Sequence, residues 1–283
     1  MLLMGLLLSC PWPGRGQATN PRTPDFTRAP EIPGFRLVWQ DEFNTDGRPD
    51  STHWRYEQGF VRNKELQWYQ PENAYCRGGV LRIEGRRETV TNPAYRPDGK
   101  DWRQHRKQAE YTSACLETRG LQSFHFGRIE VRARIDTALG AWPAIWTLGV
   151  SGTWPEDGEV DIMEYYRVAG RPTILANTAW GDGSWNTQRH PLSKVTGGDT
   201  AWAAQFHIWR MDWSRDSISL YLDGQRMNTT RLAGTHNRDG SNPFLQPHYL
   251  LLNLAIGALG GDPAGTSFPI TYEVDYVRYY QKQ

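Results

Sequence analysis

Three carboxylates lie within six residues, at Glu159, Asp161 and Glu164, and apolar residues separate them. On a β-strand successive side chains point to opposite faces, so Glu159 and Asp161 share one face. Strict alternation would place Glu164 on the apolar face, where an unpaired charge is costly. One extra residue at 162–163, a β-bulge, would return Glu164 to the face of the other two acids. The spacing therefore predicts a bulged strand that presents a row of three carboxylates.

Such a row suits the hydrolysis of a glycosidic bond. A retaining glycosidase uses two carboxyl groups about 5–5.5 Å apart, one as the nucleophile and one as the general acid and base. A neighbouring charge keeps one carboxyl protonated near neutral pH while its partner is ionised. Asp161 could hydrogen-bond Glu159 and set that order. The alternatives are an acidic strand face that is simply solvated and a calcium loop, whose Asp, Asn and Gly spacing is missing here.

The rest of the chain must position this row, and its pattern is that of an all-β protein. Residues 128–135 and 217–222 alternate polar and apolar side chains, and Asp223-Gly224 follows the second as a hairpin turn. Further strands are predicted at residues 35–43, 80–84, 111–117, 142–148, 174–180, 206–213, 249–256 and 271–280. Many strands with little helix predict a single β-sandwich or jelly-roll domain.

Two longer segments interrupt the predicted strands, and we expect both to be surface loops. Residues 92–108 are strongly basic, whereas residues 180–203 are rich in Gly, Ser, Thr and Asn and contain Trp185. Long loops on a rigid sandwich often select the substrate. The basic loop leaves room for a sulfated or anionic glycan, although a solvated loop without substrate contact is the simpler interpretation.

The composition narrows the classes of function. The formal net charge of +1 disfavours binding to nucleic acid or to an anionic membrane surface. The 13 Trp and 13 Tyr residues suit an enzyme that grips sugar rings through flat aromatic faces. The 7 His residues form no His-Glu-x-x-His pattern, and no Gly-x-Ser-x-Gly motif occurs, which disfavours a metallohydrolase and a serine hydrolase. We expect a monomer whose partner is a polysaccharide.

The N-terminus predicts export. Residues 1–10 form a short apolar run that is typical of a signal peptide and too brief to span a bilayer. The run ends at Cys10, so a lipoprotein signal with a lipid anchor on that residue is a second interpretation. Residues 11–33 predict a disordered tether, and residues 34–283 the catalytic domain. Cys76 and Cys115 could form a disulfide in an oxidising compartment or remain two buried thiols.

The chain resembles glycoside hydrolase family 16, in the branch with a bulged acidic strand that contains laminarinases, agarases and carrageenases. The motif Glu159-Val-Asp161-Ile-Met-Glu164 carries this resemblance. It extends over nearly all of the folded part, through the stretches 39–43, 63–69, 111–114, 126–128, 140–146, 154–155, 206–207, 252–255 and 272–278. Any one stretch alone would be weak, but together they are highly specific.

The resemblance implies a concanavalin-like β-jelly roll of two antiparallel sheets, with a substrate groove across one face. It implies Glu159 as nucleophile, Glu164 as general acid and base, and Asp161 as their assistant, with no cofactor for catalysis. It further implies a set of substrate-binding residues and a structural calcium site on the far face. The substrate set is Asn63 on the non-reducing side with Trp142, Trp146 and Trp154, and the calcium set is Glu42, the backbone of Gly79, and Asp275. Core packing is the alternative for the tryptophans, with about even odds for Trp146 because half of a strand's residues face inward.

The sequence identifies the substrate less directly than it identifies the catalytic residues. The first hypothesis is endo-acting hydrolysis of β-1,3-glucan or mixed-linkage β-glucan, and the runner-up is a β-galactan of the agar, arabinogalactan or poly-N-acetyllactosamine type. Many laminarinases carry a His on the strand after the catalytic one, where this chain has residues 176–180, which end in Trp180. We expect Trp180 to alter the leaving-group side of the groove. Transglycosylation is a variant of the mechanism, and a non-catalytic carbohydrate-binding protein is a third class that both glutamates disfavour.

Overall fold

The computed structural model describes residues 20–283, and antiparallel strands form most of it. The strands are β1 (Phe35–Asp41), β2 (Arg55–Tyr56), β3 (Gln67–Tyr69), β4 (Ala74–Cys76), β5 (Leu81–Gly85), β6 (Val90–Thr91), β7 (Gln108–Ala109), β8 (Tyr111–Ser113), β9 (Cys115–Glu117), β10 (Gly127–Ile135), β11 (Ala141–Gly149), β12 (Glu159–Val168), β13 (Arg171–Trp180), β14 (Ser184–Pro191), β15 (His207–Trp213), β16 (Ser217–Leu222), β17 (Gln225–Arg231), β18 (His248–Ile256) and β19 (Ile270–Lys282). The helical segments are α1 (Leu192–Val195) and the 3-10 turns Pro71–Asn73, Trp102–Gln104, Trp202–Ala204, Leu232–Gly234, Pro243–Leu245 and Ala258–Gly260.

Two large sheets make up the domain. One has eight strands, in the order β17-β16-β15-β10-β19-β5-β4, with β1 paired to β19. The other has seven strands, in the order β14-β13-β12-β11-β18-β9-β2. Apolar side chains of both sheets, such as Val131 and Val277 from the first and Ile145 and Leu252 from the second, form one buried cluster. The predicted all-β jelly-roll sandwich of two antiparallel sheets is confirmed.

Every predicted strand is present, and the differences lie between them. The predicted strand 111–117 is two strands, because β8 pairs with β3 in parallel while β9 pairs with β18 and β2. The prediction of a loop over residues 180–203 is wrong, since β14 lies within it and forms the edge of the seven-stranded sheet. Its residues are partly or fully exposed on both faces, so no apolar alternation marks it in the sequence.

Part of the predicted tether is held in place, because residues 20–27 contact the eight-stranded sheet. Arg132 is 3% exposed, and its guanidinium donates to the backbone oxygen of Asn20 at 3.0 Å and pairs with Asp275. The backbone N–H of Asp25 donates to the same Asp275 carboxylate at 3.1 Å. A buried guanidinium needs acceptors for its N–H groups, and this segment supplies them.

The cysteines and the N-terminal signal complete the comparison with the sequence. Cys76 and Cys115 are both free and buried, one on each large sheet. Cys10, with the rest of the predicted signal, lies outside the described residues. Within residues 20–283, no helix is long and apolar enough to cross a membrane.

Candidate active site

The acidic strand β12 contains the predicted bulge. On one side Asp161 pairs with Trp146 and Glu164 with Ala144, and the register shifts between them. The same shift occurs against β13. The two residues in the bulge, 162 and 163, are both buried in the core between the sheets. The bulge therefore places all three acids on the outer face of the seven-stranded sheet, as the charge pattern predicts.

These acids line a groove with a volume of about 870 Å³. The groove brings together all but one of the predicted catalytic and substrate-binding residues: Glu159, Asp161, Glu164, Asn63, Trp142, Trp146 and Trp154. It crosses the strands of the sheet, since its lining extends from Asn63 before β3 to Trp185 on the edge strand β14. A long open groove suits an extended polymer better than a small molecule.

Asp161 and Glu159 form a hydrogen bond that shifts their two pKa values in opposite directions. Asp161 is 1% exposed, and burial, followed by the charges of Glu159 and Glu164, raises its pKa well above the usual range. Burial also raises the pKa of Glu159, but a hydrogen bond from Asp161 and another from Trp154 Nε1, at 2.6 Å, lower it. The bond between the two acids raises the pKa of Asp161 and lowers that of Glu159, so it favours the proton on Asp161, while burial keeps the net pKa of Glu159 above its usual value. Glu159 is thereby favoured as a carboxylate, the form that a nucleophile requires.

Glu164 has the opposite tendency. Burial, followed by the charge of Glu159, raises its pKa to about 8. Trp142 Nε1 donates to its Oε1 at 3.0 Å and Asn177 Nδ2 to its Oε2 at 3.0 Å, and both hydrogen bonds lower the pKa. The net shift keeps Glu164 protonated near pH 7. Two carboxyl groups with separated proton affinities can act as an acid and a nucleophile.

The tryptophans occupy different levels of the groove. Trp154 is 55% exposed at the mouth, where a flat ring is free to stack on a sugar. Trp146 is 7% exposed on the floor; its Nε1 donates to Asn253 at 2.7 Å, and the guanidinium of Arg62 lies 5.0 Å from its ring centre. Trp142 is buried against Tyr166 in an edge contact. Trp142 and Trp146 therefore combine the two predicted roles: both line the groove, and both are packed against neighbouring side chains.

Asn63 is held rigidly at one side of the groove. Its backbone has a φ of 54°, in the left-handed region that Asn tolerates better than most residues. Its Nδ2 donates to Glu65 at 3.2 Å, and Glu65, which is 3% exposed, also accepts from Gln67 at 2.6 Å. The Asn63 side chain is thus fixed by a buried carboxylate and remains in the groove lining.

Trp180 does not line the groove, contrary to the sequence prediction. Ala179 lies opposite Glu159 in the sheet, so Trp180, one residue on, points to the other face. There it packs against the core cluster and makes an edge contact with Phe244. The aromatic residue that reaches the groove from this region is Trp185, which is 46% exposed.

The sequence interpretation missed several groove residues. They are Arg62, Glu65, Arg103, Tyr166, Asn177, Thr187, Arg189 and Asn253. Asn177 had a detectable signal, because it is a lone amide within the apolar strand β13, which pairs with β12. Trp185, Thr187 and Arg189 share an i, i+2, i+4 spacing, but the equally polar residues between them hide that pattern.

The residues predicted for calcium do not fit a cation site as they stand. Both oxygens of Glu42 accept from Arg278, at 2.7 and 2.8 Å, and Asp275 is paired with Arg132. Both carboxylates are therefore already neutralised by arginines. Phe26 packs against Gly79, the third predicted ligand. In the part of the chain from residue 20 on, no group of three or more His, Cys, Asp or Glu residues could hold a metal ion.

Known proteins share both this sequence pattern and this fold. A model of glycosyl hydrolases family 16 matches residues 82–278. The chain is 36% identical to a beta-glucanase of Rhodothermus marinus, over 90% of this chain and 88% of that protein. It is 32% identical to glucan endo-1,3-beta-glucosidase A1 of Niallia circulans, over 90% of this chain but only 39% of that longer protein.

A solved structure gives the same fold at similar identity. It is described with endo-acting O-glycanases of the human gut microbiota that initiate mucin breakdown. It superposes with a TM-score of 0.81 at 32% identity and covers 90% of this chain and 94% of its own. The similarity thus extends over nearly all of the described residues.

Proposed function

The chain belongs to glycosyl hydrolases family 16, and from this premise we propose that it is a retaining, endo-acting hydrolase of β-1,3-glucan or mixed-linkage β-glucan. One observation carries the proposal: the bulge in β12 places Glu159 and Glu164 in a single open groove, where a hydrogen bond from Trp154 favours the carboxylate form of Glu159 and burial raises the pKa of Glu164 to about 8. The relatives named as glucanases support the choice of a glucan.

The first step of the mechanism uses the two glutamates in different protonation states. Glu159 attacks the anomeric carbon, while Glu164 gives its proton to the oxygen of the leaving sugar. Asp161 and Trp154 hydrogen-bond the Glu159 carboxylate and keep it ionised and oriented. The product of this step is an ester between Glu159 and the sugar.

The second step needs Glu164 as a base, and the first step prepares it. The charge of Glu159 is one of the causes of the raised Glu164 pKa, and ester formation removes that charge. The pKa of Glu164 then falls, so the carboxylate can take a proton from water as the water attacks the sugar carbon. A sugar hydroxyl in place of water would give transglycosylation.

A β-galactan-containing chain, such as a mucin-type O-glycan, is the second candidate substrate. The O-glycanase-associated structure, with its TM-score of 0.81, favours it. The side of the groove formed by β14 also carries Trp185 and Arg189, a pair of groups that a neutral glucan does not require. The same catalytic residues would serve both substrates.

Product analysis separates the candidates. The full-length protein is incubated with laminarin, mixed-linkage β-glucan, agarose, porphyran, carrageenan, arabinogalactan and mucin glycans, with Glu159→Gln and Glu164→Gln as matched isosteric controls. Oligosaccharides from laminarin or mixed-linkage glucan, formed with retained anomeric configuration by proton NMR, are expected. Products from a galactan or mucin alone would replace the substrate but keep the mechanism. Full activity in Glu159→Gln or inverted products would contradict the mechanism.

We also propose that the protein is exported, because its substrates are polymers that a cell meets outside. The apolar run before Cys10 supports this, and it offers that cysteine for lipid attachment. Labelling of the expressed protein with a radioactive fatty acid, compared between the native chain and Cys10→Ala, tests the anchor. Equal labelling of both proteins, or of neither, would contradict it.

A further inference from the structure

The edge strand β14 continues the catalytic row across the sheet. Glu164 lies opposite Leu175 on β13, and Leu175 lies opposite Arg189 on β14. Glu159 lies opposite Ala179, which lies opposite Trp185. Paired residues on neighbouring strands share a face, so Arg189 and Trp185 flank the two glutamates at two strand spacings, roughly 10 Å at the backbone. Both side chains line the groove.

Arg189 is the arginine of the groove that has no anionic partner within residues 20–283. Of the other two groove arginines, Arg62 pairs with Glu57, and Arg103 pairs with Asp101 at 2.9 Å. No Asp or Glu oxygen in that part of the chain lies within 4.0 Å of the Arg189 guanidinium, and no side-chain acceptor bonds it. An exposed cation and an exposed Trp ring lie on the groove side of the same strand, four residues or roughly 13 Å apart at the backbone, and together they suit a substrate chain that carries a charged sugar.

We propose that Arg189 and Trp185 form a subsite for a sugar that carries a sulfate ester or a carboxylate. The flat guanidinium fork would bind two oxygens of the anion, and the Trp185 ring would stack on the apolar face of another sugar in the same substrate chain. This inference rests on the proposed function and on the role that the resemblance to family 16 implies for Asn63, which is to bind the sugar on the non-reducing side. Since Asn63 and β14 lie at opposite sides of the acids, the subsite lies on the leaving-group side.

The chemistry of the subsite limits its ligands. A carboxylate or sulfate gains charge-assisted hydrogen bonds from Arg189 that a neutral hydroxyl cannot match. The three acids of the catalytic row make no ion pair with the guanidinium, because β13 lies between β12 and β14. We therefore expect anionic substituents to be accepted on this side of the groove.

Affinity electrophoresis tests the subsite in the full-length Glu159→Gln protein, which leaves the polysaccharide intact. The probes are matched sets: laminarin with its sulfated and carboxymethylated derivatives, and keratan sulfate with its desulfated form. Arg189→Gln is compared with Arg171→Gln, a loss of the same charge at an exposed residue outside the groove. We expect Arg189→Gln to lower the ratio of anionic to neutral affinity about tenfold, and Arg171→Gln to leave it unchanged.

The outcomes separate this subsite from the proposed function. A loss confined to the sulfated probes identifies a sulfate ester, and one confined to the carboxymethylated probe identifies a carboxylate. The subsite is overturned if the Glu159→Gln protein with an intact Arg189 binds anionic and neutral probes equally well. It is also overturned if Arg171→Gln lowers the ratio of anionic to neutral affinity as much as Arg189→Gln does. Hydrolysis by the wild-type protein is measured in parallel: activity on galactans alone removes the glucan proposal, while the affinity ratio still reports on Arg189.

Discussion

Asn177 on β13 donates a hydrogen bond from Nδ2 to Oε2 of Glu164, at 3.0 Å. The same nitrogen donates to Oδ2 of Asp161, also at 3.0 Å. One amide group from the neighbouring strand thus holds both the general acid and the acid that assists the nucleophile. Because Asn177 is 2% exposed, its side chain is fixed by its surroundings and can keep these two carboxyl groups at a constant separation.

Asn177→Ala is expected to lower kcat about tenfold to a hundredfold, since it removes a hydrogen bond to each of two carboxyl groups of the catalytic row. The amide lowers the pKa of Glu164, so its loss raises that pKa and moves the alkaline limb of the pH–rate profile upward. The profile of kcat over pH measures both effects. Asn186→Ala, which removes an amide directed at Thr230 rather than at the acids, is the control. A lower kcat with an unmoved alkaline limb would show that Asn177 has only a structural role.

Glu159→Gln is expected to lower the pKa of Glu164 below its value of about 8. The substitution removes the negative charge that disfavours ionisation of Glu164, and it keeps the shape of the side chain. Carbon-13 NMR titration of labelled glutamate measures this pKa directly. Trp142→Phe removes a hydrogen bond that lowers the same pKa, so it should move the titration in the opposite direction. A shift of the same sign in both variants would contradict the assignment.

Trp154 has two separable roles at the groove mouth. Trp154→Phe keeps a ring for stacking but removes the N–H that donates to Glu159, so the pKa of Glu159 rises and the acid limb of the kcat/KM profile moves upward. Trp154→Ala should produce the same movement and also raise KM, because the sugar loses its stacking surface. Steady-state kinetics between pH 4 and 9 would resolve the two. An acid limb unmoved in both variants would contradict the role of the indole N–H.

The sequence contained enough information to predict the catalytic strand. A charge at position 164 cannot lie on the core face, so the pattern demands a bulge, and the structure has one between Asp161 and Glu164. The same reasoning failed for β14, because an edge strand beside an open groove has no apolar face to mark it. It also misjudged Trp180, where the parity of the strand, and not the residue type, decides which face the ring occupies.

The contacts of segment 20–33 could not be predicted from the sequence either, but for a different reason. Its contacts are made largely by backbone groups, such as the oxygen of Asn20 and the N–H of Asp25, which every sequence possesses. Those backbone groups are needed because Arg132 is buried and its guanidinium requires hydrogen-bond partners, and the burial of Arg132 is visible only in the structure. The calcium site stays a prediction, and at the same place the arginines Arg132 and Arg278 pair with the carboxylates that it assigned to the ion.

The Arg132–Asp275 pair is therefore expected to stabilise this side of the domain without a metal. Asp275→Ala leaves a buried guanidinium without its partner and should lower the free energy of unfolding by about 3–5 kcal/mol. Arg48→Ala, which breaks the exposed pair with Glu72, should cost no more than about 1 kcal/mol and is the control. Urea unfolding of the full-length protein measures both.

Adding or removing calcium distinguishes stabilisation by the arginine pairs from stabilisation by a bound ion. If the arginine pairs replace the ion, neither EDTA nor millimolar calcium shifts the Tm of the wild-type protein, because no ligand binds preferentially to the folded state. The double variant Arg132→Met with Asp275→Leu should recover most of the stability lost in Asp275→Ala, since it removes the unpaired charge along with its partner. A Tm that rises with calcium in the wild type would contradict this account and would mean that Glu42 and Asp275 exchange their arginine partners for the ion.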